Sequence, residues 1–346
     1  MAKAEQRLTI LDSLRGLAAV SVCLFHFAGH DDLLPDGFLK SLSKYGWLGV
    51  VVFFVISGFV IPWSMARGGY HLSQFPRFFL KRLMRLEPPY IVAVVTVVAF
   101  TFFYSAVKNR PFPSEPYWWF RVMTHGGYLT RIFGFDWLDD VYWTLAVEFQ
   151  YYIVIGLIFP LLNYPIAAAR WATCLLLTSF GLSAFTLPIK VTILTYTPIF
   201  VLGIHAYQYR SGLMDGRSFT VTLVCLTIFI WWIQNIEIAL TGAATAFVIA
   251  AVSRGWGPLN VLGTISYSLY LFHATLGGAI ISLGLKHNSS DAGRYLVLAA
   301  ALASSFAVAT IVFWFVEQPS QRLSASIRYR PRPAQDVVKE EDLASS

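Results

Sequence analysis

Charged residues are scarce in this chain. Only 13% of its 346 residues are Asp, Glu, Lys or Arg, and 56% are hydrophobic. A typical soluble domain carries about 25% charged residues, so this composition excludes an ordinary soluble globular protein. Several stretches reach the roughly 20 apolar residues that cross a bilayer as a helix. We therefore predict an all-α polytopic membrane protein.

Cysteine is also rare. The three cysteines, Cys23, Cys174 and Cys225, lie far apart in apolar stretches and match no metal-ligand spacing. This excludes a disulfide framework, gives no metal site, and leaves the three as small packing residues. The net charge of +7 does not require a nucleic-acid partner, because basic cytoplasmic loops account for it.

We predict about ten transmembrane helices in one membrane domain, residues 1–322. With the N-terminus cytoplasmic, the excess of Lys and Arg falls on the inner side, as the positive-inside rule requires. An even number of spans returns the C-terminus to the cytoplasm, where residues 323–346 are predicted to form a disordered tail. The predicted spans are residues 8–27, 47–66, 88–107, 142–162, 171–188, 190–208, 218–235, 237–253, 260–282 and 294–316.

Two polar residues, Arg15 and His26, interrupt the first apolar stretch. Eleven residues are about three helical turns, so both side chains are predicted on one face, roughly 16 Å apart along the axis. Ionisable side chains within a membrane span cost free energy, so their presence indicates a functional site. His26 is a candidate general base near the outer end, and Arg15 could hold a negative or carbonyl oxygen deeper in the membrane. The alternative is structural: Asp12, three residues earlier, neutralises Arg15.

A second candidate site is basic. Arg82 and Arg85 are three residues apart and therefore adjacent on a helix face, where they could bind the phosphates of a cytosolic cofactor. Arg77 and Lys81 extend the same face. Anchoring to anionic lipid is the alternative interpretation. The two prolines at 88–89 are predicted to end a loop helix and start the third span.

Further polar residues fall in later spans. Glu148 and Tyr152 share a face of the fourth span, where the carboxylate could orient His26 or bind acceptor hydroxyls; helix–helix hydrogen bonding is the alternative. Tyr270 and His273 share a polar stripe with Ser266 in the ninth span and are predicted to line a cavity. Tyr152, Tyr270 and His273 are the predicted substrate contacts. Glu317, at the inner end of the last span, could pair with Arg15 or with the basic loop.

These motifs together resemble the acyltransferase-3 family of integral membrane O-acyltransferases. Each motif is weak by itself, but six of them occur in order over nearly the whole chain. One difference is Ala274, where members often have proline after the histidine. The matching segments are residues 11–19 (LDSLRGLAA) with His26, 53–59 (FFVISGF), 82–85 (RLMR) with Pro89 and Tyr90, 143–152 (WTLAVEFQYY), 266–273 (SYSLYLFH) and 317–319 (EQP).

The resemblance implies an enzyme that moves an acyl group, usually acetyl, from cytoplasmic acyl-CoA to a hydroxyl of an extracytoplasmic carbohydrate such as O-antigen or exopolysaccharide. It implies catalytic roles for Arg15 and His26 and binding of the coenzyme by Arg82 and Arg85. We add Glu148 as a catalytic candidate, and Arg15 as a second contact for the donor. The expected partners are acetyl-CoA, a carbohydrate or glycolipid acceptor and membrane lipid, without metal or nucleic acid.

The expected location is a bacterial inner membrane. Some family members carry a C-terminal hydrolase-like domain of the Ser-Gly-Asn-His type, and residues after 322 are too few to form one. Two other classes of function compete with this interpretation. A transporter or exporter of a glycan also fits ten spans with buried charges, although no inverted repeat is visible. A membrane sensor or scaffold leaves the shared face of Arg15 and His26 unexplained.

Overall fold

The computed structural model describes residues 8–29, 33–107, 109, 117–185, 193–287 and 290–329. Within these ranges the chain consists of helices joined by turns and loops, with no β-strand. The helices are α1 (Thr9–Leu24), α2 (Phe38–Ser43), α3 (Gly49–Arg67), α4 (Phe75–Val107), α5 (Trp118–Thr124), α6 (Trp143–Leu162), α7 (Ala167–Ser179), α8 (Ile193–Arg210), α9 (Gly216–Ile233), α10 (Ile236–Ala251), α11 (Gly257–Thr264), α12 (Ser266–His287), α13 (Asp291–Val312) and α14 (Gln318–Ser326).

Seven helical segments of the described chain are long and apolar enough to cross a membrane. Their outer surfaces carry large apolar side chains that only lipid can cover, such as Leu296, 70% exposed, and Phe315, 78% exposed. The all-α polytopic fold is therefore confirmed. The seven segments are Thr9–Gly29, Phe38–Arg67, Leu72–Val107, Asp140–Leu162, Gly216–Ile233, Ser266–Leu285 and Asp291–Ser326.

The other three predicted spans correspond to α7, α8 and α10. Helix α7 has 13 residues and α10 has 16, fewer than the roughly 20 that cross a bilayer. Helix α8 has 18 residues but carries polar side chains in its second half, among them His205 and Gln208. The count of ten spans and the cytoplasmic location of both termini remain predictions, and the predicted boundary between residues 188 and 190 lies outside the described residues.

Glycines let two pairs of helices approach closely. Gly58 of α3 lies against the backbone carbonyl of Phe200 in α8, and Gly203 of α8 lies against the carbonyl of Val55 in α3. A Cβ atom at either glycine would collide with backbone, so no side chain can move aside to accept it. Small residues at helix contacts are typical of membrane helices. Helices α1 and α11 approach in the same way at Gly263.

Helix α4 corrects one prediction. It runs without interruption through Pro88 and Pro89, which were predicted to separate a loop helix from the third span. The prolines cannot donate to the carbonyls four residues earlier, yet the neighbouring helices hold the segment helical, and Tyr267 of α12 donates a hydrogen bond to the Leu86 carbonyl at 2.8 Å. The basic residues at positions 77–85 therefore lie on the first turns of a continuous membrane helix, which we call the arginine extension of α4.

The predicted start of the disordered tail at residue 323 is also wrong. Residues 323–326 complete α14, and Tyr329 is buried against Tyr70, with ring centroids 5.7 Å apart. Packing against the start of α4 holds this segment, because Ser324 Oγ donates to the Lys81 carbonyl at 2.8 Å. The rest of the predicted tail, from residue 330, lies outside the described residues.

Candidate active site

The first candidate site is a narrow internal cavity of about 90 Å³, which we call the arginine cavity. Three arginines and two glutamates, Arg15, Arg82, Arg85, Glu148 and Glu317, line it. Helices α1, α4, α6 and the end of the last span supply these charges, so residues far apart in sequence meet in one place. Buried charges at this density require partners or a charged ligand.

The two arginines of α4 are held differently. Arg82 is 4% exposed and packs against Phe78 and Tyr152, with its guanidinium carbon 5.6 Å and 6.0 Å from the two ring centroids. Its Nη2 donates to Ser64 Oγ at 3.5 Å, and its Nε has no hydrogen-bond partner among the described residues. Arg85 lines the same cavity, one helical turn further along. Both guanidinium groups can donate to an anion.

Arg77 and Lys81 are directed elsewhere. Arg77 Nη1 donates to the Tyr329 carbonyl at 3.1 Å, and Lys81 Nζ donates to the Ile327 carbonyl at 3.4 Å. Lys81 also lies over the ring of Tyr329, 5.5 Å from its centroid. The C-terminal segment thus engages half of the predicted basic face. Arg82 and Arg85 are the members of that face that line the cavity.

Glu148 accepts two short hydrogen bonds on one oxygen. Ser57 Oγ and Tyr152 Oη both lie 2.6 Å from Glu148 Oε1. The i,i+4 spacing predicted the contact with Tyr152, whereas Ser57 comes from α3. The structure does not place this carboxylate beside His26, because the two residues line different cavities. Orientation of His26 by Glu148, one of its predicted roles, therefore has no support in the geometry.

Glu317 is likewise engaged by neighbours within the protein. It is 2% exposed, and its Oε2 accepts from Ser268 Oγ at 2.6 Å and from the Ser268 backbone N–H at 3.2 Å. Gln321 donates to its Oε1 at 2.9 Å. Arg15 lines the same cavity and donates through Nε to Ser266 Oγ at 3.2 Å. Both residues thus hold the inner part of α12 against its neighbours.

The second site is a larger cavity of about 720 Å³, which we call the aromatic cavity. Its wall includes His26 and the ring side chains of Phe25, Trp47, Trp143 and Tyr196. The polar residues Asp140, Gln234 and Asn235 also line it. All of these lie at the end of the molecule where α1 ends and α6 begins, opposite the arginine extension of α4. With the predicted orientation, this is the outer end.

His26 lies in a π-helical turn, Phe25–Gly29, that ends the first span. Such turns are frequent at functional sites, and the sequence pattern gave no sign of this one. The ring of His26 lies 5.1 Å, centroid to centroid, from that of His273, at an angle of 62°. The π-turn and His273 both contribute to the position of the imidazole of His26.

His273 does not line either cavity. It is fully buried, and its Nδ1 lies 2.9 Å from the Tyr270 carbonyl oxygen and 3.1 Å from that of Leu269. Nδ1 is therefore the protonated donor, and Nε2 is an acceptor without a hydrogen-bond partner among the described residues. The ring of His273 thus lies against that of His26 and not in a cavity wall, so the substrate contact predicted for His273 gains no support from the geometry and stays a prediction.

The two cavities share a wall. Val50, Phe54 and Tyr270 line both. Tyr270 is fixed there by its hydroxyl, which lies 2.8 Å from Thr144 Oγ1 and donates to the Val141 carbonyl at 3.2 Å. Arg15 and His26, predicted on one face of a single helix, thus line adjacent cavities that share these three residues.

Sequence reasoning missed several lining residues. Ser57 lies in the segment 53–59, which was part of the family resemblance but received no role. Tyr196 and Gln234 carried no motif at all, and only the packing of α8 and of the α9–α10 turn brings them to the aromatic cavity. Among the described residues, no group of three or more His, Cys, Asp or Glu could hold a metal ion. The roles of the predicted site residues remain predictions.

The structure thus defines a class of protein. It is a helical membrane protein in which the arginine cavity shares a wall with a second cavity that a histidine lines. The sequence profile of the family described as "Acyltransferase domain" matches residues 8–315. Because the match covers most of the chain, the chain belongs to the acyltransferase-3 family, as its motifs indicated.

Curated relatives include O-acetyltransferase OatA of Staphylococcus aureus (strain NCTC 8325 / PS 47), with 24% identity over 90% of this chain and 57% of the relative. Peptidoglycan O-acetyltransferase OatA of Listeria monocytogenes serovar 1/2a is also 24% identical, over 90% of this chain and 55% of the relative. The chain therefore spans little more than half the length of these relatives. No solved structure gives a significant match.

Proposed function

We propose that this protein is a membrane O-acetyltransferase. It takes the acetyl group from acetyl-CoA on the cytoplasmic side of a bacterial inner membrane and transfers it to a carbohydrate hydroxyl on the other side. Membership of the family and similarity to two O-acetyltransferases support the reaction class. The observation that carries the proposal is the shared wall between the arginine cavity and the aromatic cavity.

The arginine cavity suits the donor. At about 90 Å³ it is well below the 300–1,000 Å³ of common ligand pockets, so it can enclose only part of the donor, and the rest of the donor must lie outside it. Arg82 and Arg85 line it from the inner extension of α4, where they can hold phosphate groups through charge-assisted hydrogen bonds. The donor would then point its acetyl group past Arg15 towards the shared wall.

The chemistry needs a base on the acceptor side. His26 takes the proton from the acceptor hydroxyl, whose oxygen attacks the thioester carbonyl carbon. The C–O bond forms first and places a negative charge on the carbonyl oxygen; the C=O bond then re-forms as the C–S bond breaks, and the thiolate takes the proton held by His26 and leaves as CoA thiol. Arg15, as a fixed cation, can stabilise the oxyanion between these steps. Each acceptor gains one acetyl ester and each donor yields one thiol.

Thiol release by the purified protein in lipid nanodiscs tests this proposal. With acetyl-CoA and a mixture of glycan acceptors, we expect acceptor-dependent release of CoA thiol. His26→Ala removes the base and should lower the rate by about 10²- to 10⁴-fold. A matched control is His71→Asn, because His71 is an exposed residue of a loop outside both cavities. Equal release by wild type and His26→Ala would exclude the mechanism.

A labelling experiment separates direct transfer from an acyl-enzyme. Incubation with radiolabelled acetyl-CoA and no acceptor should leave the protein unlabelled if the acceptor attacks the thioester directly. Label retained by wild type and lost in His26→Ala would make His26 the nucleophile instead. The transporter alternative predicts no acceptor-dependent thiol release in any variant.

A further inference from the structure

We propose that the aromatic cavity binds an uncharged saccharide unit of the acceptor, with Trp143 and Tyr196 as the surface on which the sugar ring lies and Gln234 and Asn235 as its hydrogen-bonding groups. The proposal rests on the acetyltransferase function and names the chemical class of its acceptor. It adds binding residues that neither the motifs nor the relatives assign.

The size of the cavity fits a sugar. At about 720 Å³ it lies within the range of ligand pockets, whereas the arginine cavity on the other side of the wall does not. Because His26 is part of its lining, a hydroxyl of a bound sugar can reach the imidazole from within the same space. No separate channel is needed to bring the acceptor to the base.

The rings form a broad apolar surface. Trp143 and Tyr196 lie 5.4 Å apart, centroid to centroid, at 34°, and Phe54 backs Tyr196 at 5.4 Å. Both residues are only partly buried. The C–H face of a pyranose is apolar and packs on such ring faces, while its hydroxyls remain at the edge. A sugar that packs on these rings can therefore direct a hydroxyl at its edge towards His26, which lines the same cavity.

Two amide side chains lie at the turn between α9 and α10. Gln234 Nε2 donates to the Thr195 carbonyl at 2.9 Å, which leaves its Oε1 as a buried acceptor with no partner among the described residues. Asn235 Oδ1 accepts from the Ile238 N–H at 2.7 Å and thereby caps α10, so its NH₂ group is the part not used by the cap. An acceptor and a donor on adjacent residues match a sugar's hydroxyl pair.

The charges of the cavity select among sugars. Its described lining contains the carboxylate of Asp140 and no Lys or Arg. An anionic sugar would meet an acidic residue, and the described lining offers no Lys or Arg to compensate its charge, in contrast with the arginine cavity. The aromatic cavity therefore favours a neutral saccharide unit over a uronic acid or a phosphorylated sugar.

Equilibrium binding of radiolabelled oligosaccharides tests the proposal without any need for turnover. The full chain is placed in lipid nanodiscs, so that no sugar-headed detergent competes. We expect chitotetraose or maltotetraose to bind saturably and tetragalacturonate to bind at least about tenfold more weakly. Trp143→Leu and Gln234→Ala should each weaken binding of the neutral sugar by about tenfold. Trp231→Leu is the matched control, since Trp231 is 57% exposed and outside the cavity.

The two proposals fail in different ways. Loss of neutral-sugar binding in Trp143→Leu with an unchanged KM for acetyl-CoA supports the saccharide site and shows that the variant is folded. If thiol release depends on acceptor but neither variant changes acceptor binding or its KM, the saccharide site is refuted and the transferase stands. Equal binding of tetragalacturonate and the neutral sugars, or binding of none, also refutes it. Sugar binding without any thiol release refutes the transferase alone.

Discussion

Replacement of Arg85 by glutamine provides a direct test of the donor site. Arg85 lines the arginine cavity, whereas the neighbouring Arg82 is packed between Phe78 and Tyr152 and serves the fold as well. Arg85→Gln therefore removes a cation with the smaller structural cost. A charge-assisted hydrogen bond contributes about 1.5–3 kcal/mol, which corresponds to about a 10- to 150-fold change in affinity. We expect the KM for acetyl-CoA to rise by this factor.

The assay compares two donors. Acetyl-CoA carries the phosphates, whereas S-acetylpantetheine carries the same thioester arm without them. If Arg85 binds phosphate, Arg85→Gln should raise the KM for acetyl-CoA and change that for S-acetylpantetheine by less than about twofold, with kcat affected little in both cases. Added salt should raise the wild-type KM for acetyl-CoA in the same selective way, because exposed parts of the interaction are screened.

A control on the same helix is available in Arg77→Gln. Arg77 is exposed and donates to the Tyr329 carbonyl, so its loss should leave the KM of both donors within about twofold of wild type. An equal loss of affinity for both donors in Arg85→Gln would refute the phosphate-binding role and would place Arg85 at the thioester instead. No loss with either donor would remove the arginine cavity from the donor site altogether.

Three further predictions concern the fold and the site. Gly203→Val should clearly lower the unfolding temperature in a thermal melt, because the valine side chain would meet the α3 backbone. Gly278→Ala should leave that temperature unchanged, since open space surrounds Gly278. Burial lowers the pKa of His125 from its ordinary value near 6.5, so its contribution to stability is full above that pH and declines as the pH falls. The Leu138 amide donates to Nε2 at 3.1 Å, so its hydrogen-exchange protection factor, which is corrected for the intrinsic rate at each pH, should fall in acid. Glu148→Gln weakens two hydrogen bonds to a charged group and should lower kcat/KM for transfer by about tenfold or more, and an unchanged value would exclude a role for the carboxylate.

The sequence predicted the fold class and the positions of most helices because hydrophobic length is a local property. A run of about 20 apolar residues must satisfy its backbone internally and so becomes a helix wherever it lies in the chain. The i,i+4 contact of Glu148 with Tyr152 was also predictable, because it depends only on positions within one helix. Local rules failed at Pro88 and Pro89, where packing kept helical a segment that propensity would have broken.

The six motifs identified the family. The sequence also pointed to Arg15, His26, Arg82 and Arg85, because burial of a cation or an imidazole in an apolar chain costs free energy and such residues are therefore rare. Spacing could not show which of them share a cavity. That depends on how separate helices pack. Close contacts through Gly58 and Gly203 set the approach of α3 to α8, and the C-terminal segment engages Arg77 and Lys81.

The sequence alone thus determined a helical membrane acyltransferase fold whose first span carries an arginine within it and a histidine near its outer end. The tertiary structure decided that these residues line two cavities with a common wall, that His273 lies behind His26, and that Tyr196 and Gln234 line the aromatic cavity. The physical reason is the range of the forces involved. Hydrophobic periodicity depends on residues of one helix and can be read from the sequence. A cavity is the space left where several helices pack together, so it depends on residues that are distant in sequence.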